Sequence, residues 1–209
     1  MTEQFGAPYW DERYGSRTAV WSGRPNPQLV AETADLTPGK ALDVGCGEGG
    51  DALWLASNGW QVTGVDFSAA GLRRAADQAG PLGLAERIQW VRADLTDWTP
   101  AEQFDLISAQ FMHLPAAQRE ALFARLADAV TPGGTLLIVG HHPSDLKTTL
   151  ARPIPLDRFF TAEEIADSLD PAQWDVLAAD ARPRSTQDGE GREITINDAV
   201  LFARRKTAG

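Results

Sequence analysis

The chain has 209 residues, 43% of them hydrophobic, which is enough for one domain with a full core and too few for two generous ones. Its 29 acidic against 19 basic residues give a net charge of −10, which argues against a nucleic acid or an anionic membrane as partner, because either needs a concentrated basic face. The lone cysteine, Cys46, excludes an internal disulfide, and with no apolar stretch of 18 residues and no basic-then-apolar leader the expectation is a cytoplasmic protein without membrane contact.

In chain order, Tyr9, Trp10, Tyr14 and Trp21 crowd the opening, and a helical pattern follows over Gln28–Leu36. With no strand to join, residues 1–37 are expected to cap a pocket, and Arg24 reads as solvated surface, with the cofactor carboxylate or a substrate anion as the alternative partner. From residue 38 to 209 short apolar runs alternate with helical patterns, the mark of strand–helix units and a parallel sheet. The expected strands are Ala41–Gly45, Gln61–Asp66, Ile88–Ala93, Phe104–Ala109, Gly134–Gly140, Trp174–Ala178 and Ile194–Ala203. Asp51–Ser57 reads as a helix stopped by Asn58-Gly59, and Ser68 caps another that breaks at Gly80-Pro81. Pro115 stands at a first helical position, and Leu122, Leu126 and Val130 recur at helical spacing before Pro132-Gly133-Gly134 ends the run. Thr161 and Glu164 form a capping box. Residues 142–160, with Pro143, Pro153 and Pro155, are too long for an ordinary connection and make a candidate lid, while Arg182–Arg192 reads as a polar, mobile loop. The basic cluster Arg204, Arg205 and Lys206 reads as solvated surface.

The chemistry concentrates after the first strand, in Asp43-Val-Gly45-Cys46-Gly47-Glu48-Gly49. Glycines there let the backbone turn tightly and approach a ligand that a Cβ would push away, and Asp66, closing the second strand, suits a ribose diol. Gly45-x-Gly47-x-Gly49-Gly50 formally satisfies the dinucleotide fingerprint as well, so an NAD(P)-dependent oxidoreductase is a competing reading, and a non-catalytic binding module is a third. Asp43 two residues before the glycines and Asp94 after the third strand favour a different cofactor. Cys46, enclosed in the turn, reads as a small filler rather than a nucleophile. His113 follows the fourth strand, and His141 and His142 follow the fifth, on the side where open α/β sheets bind ligands; His141 and His113 are the candidate catalytic bases. Adjacent histidines splay their rings apart, so no metal site is expected.

Asp-Val-Gly-Cys-Gly-Glu-Gly at 43–49, Val-Asp-Phe-Ser at 65–68, Arg-Ala-Asp-Leu at 92–95 and Thr-Pro-Gly-Gly-Thr-Leu at 131–136 resemble the class I S-adenosylmethionine-dependent methyltransferases over residues 38–140. Tyr-Trp-Asp-Glu-Arg-Tyr at 9–14 and Trp-Ser-Gly-Arg-Pro-Asn at 21–26 are similar to the small bacterial subgroup that includes tellurite-resistance and thiopurine methyltransferases. The resemblance implies a single Rossmann-like, doubly wound α/β domain whose seven-stranded sheet is mostly parallel with its last strand antiparallel. It implies S-adenosylmethionine as methyl donor, S-adenosylhomocysteine as product, a small-molecule acceptor and a monomer or homodimer. On the same ground Asp43, Gly45, Cys46 and Gly47 would surround the methionine portion, Asp66 the ribose, and Phe67, Asp94 and Leu95 the adenine. Gln110 would lie near the sulfonium. Tyr14 and Trp21, core or staple residues by type, sit in an opening segment with no strand to join and are read as a cover over the cofactor.

Overall fold

The computed structural model describes residues 23–150 and 154–207, together with Glu12. Seven strands form one sheet: β1 (Lys40–Val44), β2 (Gln61–Asp66), β3 (Ile88–Arg92), β4 (Phe104–Gln110), β5 (Val130–His141), β6 (Trp174–Gln187) and β7 (Glu193–Arg205). Their order is β3-β2-β1-β4-β5-β7-β6. The first five run parallel, and β7 lies antiparallel between β5 and β6. The order reverses between β1 and β4, and at such a switch point the connections leave in opposite directions and open a crevice beyond the strand ends.

Five helices are described: α1 (Pro27–Thr33), α2 (Gly50–Ser57), α3 (Ala69–Ala79), α4 (Ala116–Asp128) and α5 (Ala162–Ala166). Each starts where local chemistry allows. The Asn26 side chain accepts from the Gln28 amide at α1, Ser68 from Gly71 at α3, and Thr161 and Glu164 complete a capping box at α5. The helices divide between the faces of the sheet. Leu29, Ala52, Leu55 and Ala79 from α1–α3 pack with Ala41, Val62, Leu106, Leu137, Val139, Val200 and Phe202. Leu122, Phe123 and Leu126 of α4 and Ile165 of α5 pack with Leu42, Val44, Val65, Ile107, Leu136, Ile138 and Leu201 on the other face.

Alternation along the strands then fixes the direction of the polar residues at their ends. Asp43 continues the row of Ala41, Asp66 that of Val62, Gln110 that of Leu106, and His141 that of Leu137 and Val139, so all four fall on the face covered by α1–α3. Gly140 points the opposite way, against Phe160, whose ring occupies the space that a Cβ at this position would need.

Several boundaries differ from those expected; the helix read over Gln28–Leu36 runs Pro27–Thr33. The segment Arg182–Gln187 is not a loop: it pairs with Glu193–Asp198, so β6 and β7 form one long hairpin. Val130 opens β5 instead of closing α4, because Phe104 pairs with it ahead of a register irregularity that absorbs Thr131–Gly134. Pro115 is the cap residue of α4, whose first helical residue is Ala116. The aromatics Tyr9, Trp10, Tyr14 and Trp21 lie outside the described residues.

Candidate active site

The glycine turn is shaped by backbone needs. Gly45 has φ +72°, and a Cβ there would stand 2.7 Å from Met112 Sδ, so the segment after β4 leans directly over the turn after β1. Gly49, at φ +81°, caps α2, and a Cβ would press on Ala75 at 2.8 Å. The amides of Gly45 and Cys46 both donate to the Val65 carbonyl, tying the turn to β2.

Asp66 closes that tie from the other side. Its Oδ2 accepts from the Gly47 amide at 2.9 Å and its Oδ1 from the Ser68 amide at 2.8 Å. Asp43 is 2% exposed, and its Oδ2 has no hydrogen-bond partner among the described residues. Gln110 shows the same deficit: its Nε2 donates to Ser108 Oγ at 2.7 Å, while its buried Oε1 is unmatched. Ser108 is the register partner of Asp43, so the two orphaned acceptors are diagonal neighbours on one face. A buried acceptor without a donor costs about 1–3 kcal/mol. Two together call for a ligand that donates.

Burial, reinforced by the charge of Asp51 and then of Asp66, holds the Asp43 carboxyl well above the usual range. Asp51 was not among the residues singled out from sequence; it accepts from the Asn26 amide at 2.6 Å and is pushed up by burial to about 6. A carboxyl raised from its unfolded value stabilises the fold in its protonated state, and that contribution is lost as pH rises through about 6. Asp51→Asn is therefore expected to raise the melting temperature above pH 7 and to change it little at pH 4, in thermal scans of the cofactor-free protein. Cys46 is buried, and burial followed by the Asp43 and Asp66 charges drives its thiol well upward, which leaves it inert as a nucleophile.

The remaining residues sit around these. Phe67 is half-buried after β2, and its carbonyl accepts from Arg92 Nε at 3.1 Å. Asp94 is a turn acid whose Oδ1 accepts from the Thr96 amide and hydroxyl, and Leu95 is 2% exposed. Arg24 is exposed, with its carbonyl beside Gly50 at the start of α2.

Next to the turn lies an aromatic wall that sequence reading marked only in part. His141, 8% exposed, stands 4.7 Å from the Phe111 ring, 5.6 Å from His113 and 6.0 Å from Phe159, measured between centroids. Phe111 has φ +50°, the one non-glycine positive φ among the described residues, and such strain collects where side chains are held for a purpose. His142 is turned to its own chain: its Nδ1 is 2.9 Å from Ser144 Oγ. The described parts of the candidate lid are pinned. Thr149 Oγ1 donates to Asp188 at 2.8 Å, Asp145 accepts from the Asn197 amide at 2.8 Å, and Arg119 donates to the Asp157 carbonyl at 2.8 Å.

A glycine turn, ribose-suited acid and polar strand ends at a switch point define an α/β domain built for a nucleotide-type cofactor. A family model described as "Methyltransferase domain" matches residues 41–134. The match covers 94 of the 209 residues and makes that part of the chain similar to a methyltransferase domain. Among curated proteins it is 35% identical over 139 residues to trans-aconitate 2-methyltransferase of Streptomyces coelicolor, covering 63% of this chain and 45% of that one. It is 28% identical over 189 residues to thiocyanate methyltransferase 1 of Arabidopsis thaliana, covering 88% and 81%. The chain thus spans about half the length of the trans-aconitate methyltransferase it matches. Among solved structures it is similar to one described as "Conversion of a Disulfide Bond into a Thioacetal Group during Echinomycin Biosynthesis" (TM-score 0.75, 26% identity, 100% of this chain and 93% of that one). TehB from Haemophilus influenzae shares the fold, with TM-score 0.74, 23% identity and coverage of 96% and 67%. No described helix is long and apolar enough to cross a membrane.

Proposed function

We propose that this protein transfers the methyl group of S-adenosylmethionine to a small-molecule acceptor held against the wall of Phe111, His113, His141 and Phe159. The observation that carries the reading is the pair of orphaned acceptors, Asp43 Oδ2 and Gln110 Oε1, on one face beside the glycine turn. An ammonium group answers both, and S-adenosylmethionine has one at its amino acid end, whereas NAD has none. Bound S-adenosylmethionine supplies a methyl carbon on a sulfonium sulfur, open to in-line displacement by an acceptor lone pair.

The chain's own residues bind, orient and dry the site. Gly45, Cys46 and Gly47 border the methionine portion, and Asp66, tied to the glycine turn through the Gly47 amide, accepts from the ribose diol. Phe67, Asp94 and Leu95 receive the adenine. Tyr14 and Trp21 lie outside the described residues, and their share in the cofactor site rests on the aromatic opening segment having no strand to join. His141, with His113 beside it, takes the proton of a protic acceptor; an acceptor that arrives as an anion needs only positioning. Rings and imidazoles in the wall suit a soft or aromatic nucleophile, and the trans-aconitate and thiocyanate relatives likewise carry small-molecule names.

Calorimetric titration with S-adenosylmethionine, S-adenosylhomocysteine and NAD, followed by turnover on thiols, thiocyanate, halides, phenols, amines and trans-aconitate, tests the proposal. Binding of the first two ligands together with methylation of a panel member is expected. Binding of NAD alone overturns the cofactor, and cofactor binding with no methylated product overturns the transfer in favour of a binding module.

A further inference from the structure

His141 has a charged neighbour that the site as described does not use. The β5–β7 register sets Asp198 directly opposite His141, and opposed residues in an antiparallel pair project from the same face about 5 Å apart. Asp198 is 2% exposed, and Arg184 Nε lies 2.9 Å from both of its carboxylate oxygens. The Arg184 guanidinium also stands 5.9 Å from the centroid of Phe111, whose ring packs on His141. Residues from β5, β6, β7 and the end of β4 thereby close on one another beside the aromatic wall.

We infer that Asp198 is a positioning residue for His141, with Arg184 the counter-charge that trims its pull; the inference rests on His141 being the proton acceptor of the proposed reaction. An ion pair serving only to staple the hairpin gains nothing from burying its acid. Here the Asp198 side chain is 3% exposed and the Arg184 side chain 35%, and an apolar residue would have continued the row of Val200 and Phe202 without the desolvation cost of a carboxylate. A carboxylate beside an imidazole favours the imidazolium, so His141 accepts a proton more readily. The guanidinium works in the opposite sense. Other titratable groups placed around His141 include His113 after β4, the adjacent His142, and Asp145, whose Oδ1 accepts from the Asn197 amide.

The chain holds three histidines, so three imidazole Cε1–H signals can be followed by NMR from pH 4.5 to 9 in the full-length protein without cofactor. His141→Gln and His113→Gln assign them. Asp198→Asn is expected to lower the His141 midpoint by about one pH unit, and Arg184→Gln to raise it by about half a unit. Arg184→Lys should restore the wild-type midpoint, and His142 should not move. If the His141 midpoint is unchanged in both variants, or moves the same way in both, the inference fails. Should Asp198→Asn not fold, the two Arg184 variants, on a partly solvated side chain, carry the test. The rising limb of the pH–rate profile on a thiol acceptor should shift with the same sign and size. The titration needs neither donor nor acceptor, so shifted midpoints in a protein that methylates nothing count against the proposed reaction and leave the pair standing.

Discussion

Asp66→Ala is expected to weaken S-adenosylmethionine binding by roughly 100-fold or more in calorimetric titration. The two charge-assisted hydrogen bonds proposed to the ribose diol, at about 1.5–3 kcal/mol each, set that scale. The variant also strands the Gly47 and Ser68 amides, which now donate to the two carboxylate oxygens. Part of the loss will therefore come from a turn that is no longer held in place. Asp66→Asn separates the contributions, since an amide oxygen can still accept from one backbone N–H while the charge is gone. An intermediate loss, with a melting temperature closer to wild type, is the expected pattern. Wild-type affinity in Asp66→Ala, in a protein shown by circular dichroism to be folded, would remove Asp66 from the cofactor site.

The second large effect belongs to His141. Loss of a true general base costs roughly 100-fold in turnover or more, so His141→Ala should reduce kcat on a protic thiol by that factor while leaving cofactor affinity within a few-fold. His113→Ala should cost less, because its ring is half-buried at 5.6 Å from His141, at the rim of the wall. Thiocyanate separates chemistry from positioning: it enters as an anion and has no proton to give. His141→Ala should leave its methylation within about ten-fold of wild type. Equal losses on the thiol and on thiocyanate would mean that His141 shapes the pocket and takes no proton.

Much of this architecture was legible because apolar rows are short and glycine turns abrupt. The first four strands, the glycine turn and the caps at Ser68 and Thr161 all fall where local chemistry puts them. The hairpin arm at Arg182–Gln187 was hidden for the complementary reason. It is an edge strand exposed or half-exposed along its length, so nothing apolar alternates along it, and only pairing with Glu193–Asp198 makes it a strand. The acids and aromatics of the site divide in the same way. Asp43 and Asp66 lie beside the glycines or at a strand end, where sequence position alone marks them. Asp51, Arg184 and Asp198 gain their place only from contacts across the fold: Asp51 from the Asn26 amide, and Arg184 and Asp198 from a diagonal contact across the β6–β7 hairpin, 14 residues apart in the chain. A lone acid inside the apolar run from Ile194 to Ala203 was the one signal available for Asp198.

Gly140 bears on how the reading frame of the sheet is kept. If β5 slid by one residue along its neighbours, His142 would arrive where His141 now stands, and the pocket would still present an imidazole. Chemistry alone would barely register the error. The same slip would bring a side chain to the place of Gly140, into space filled by the Phe160 ring, and would exchange Leu137 and Val139 with Leu136 and Ile138 across the sheet. With two histidines in tandem, a bare hydrogen under a phenyl ring is what proofreads the alignment of the strand.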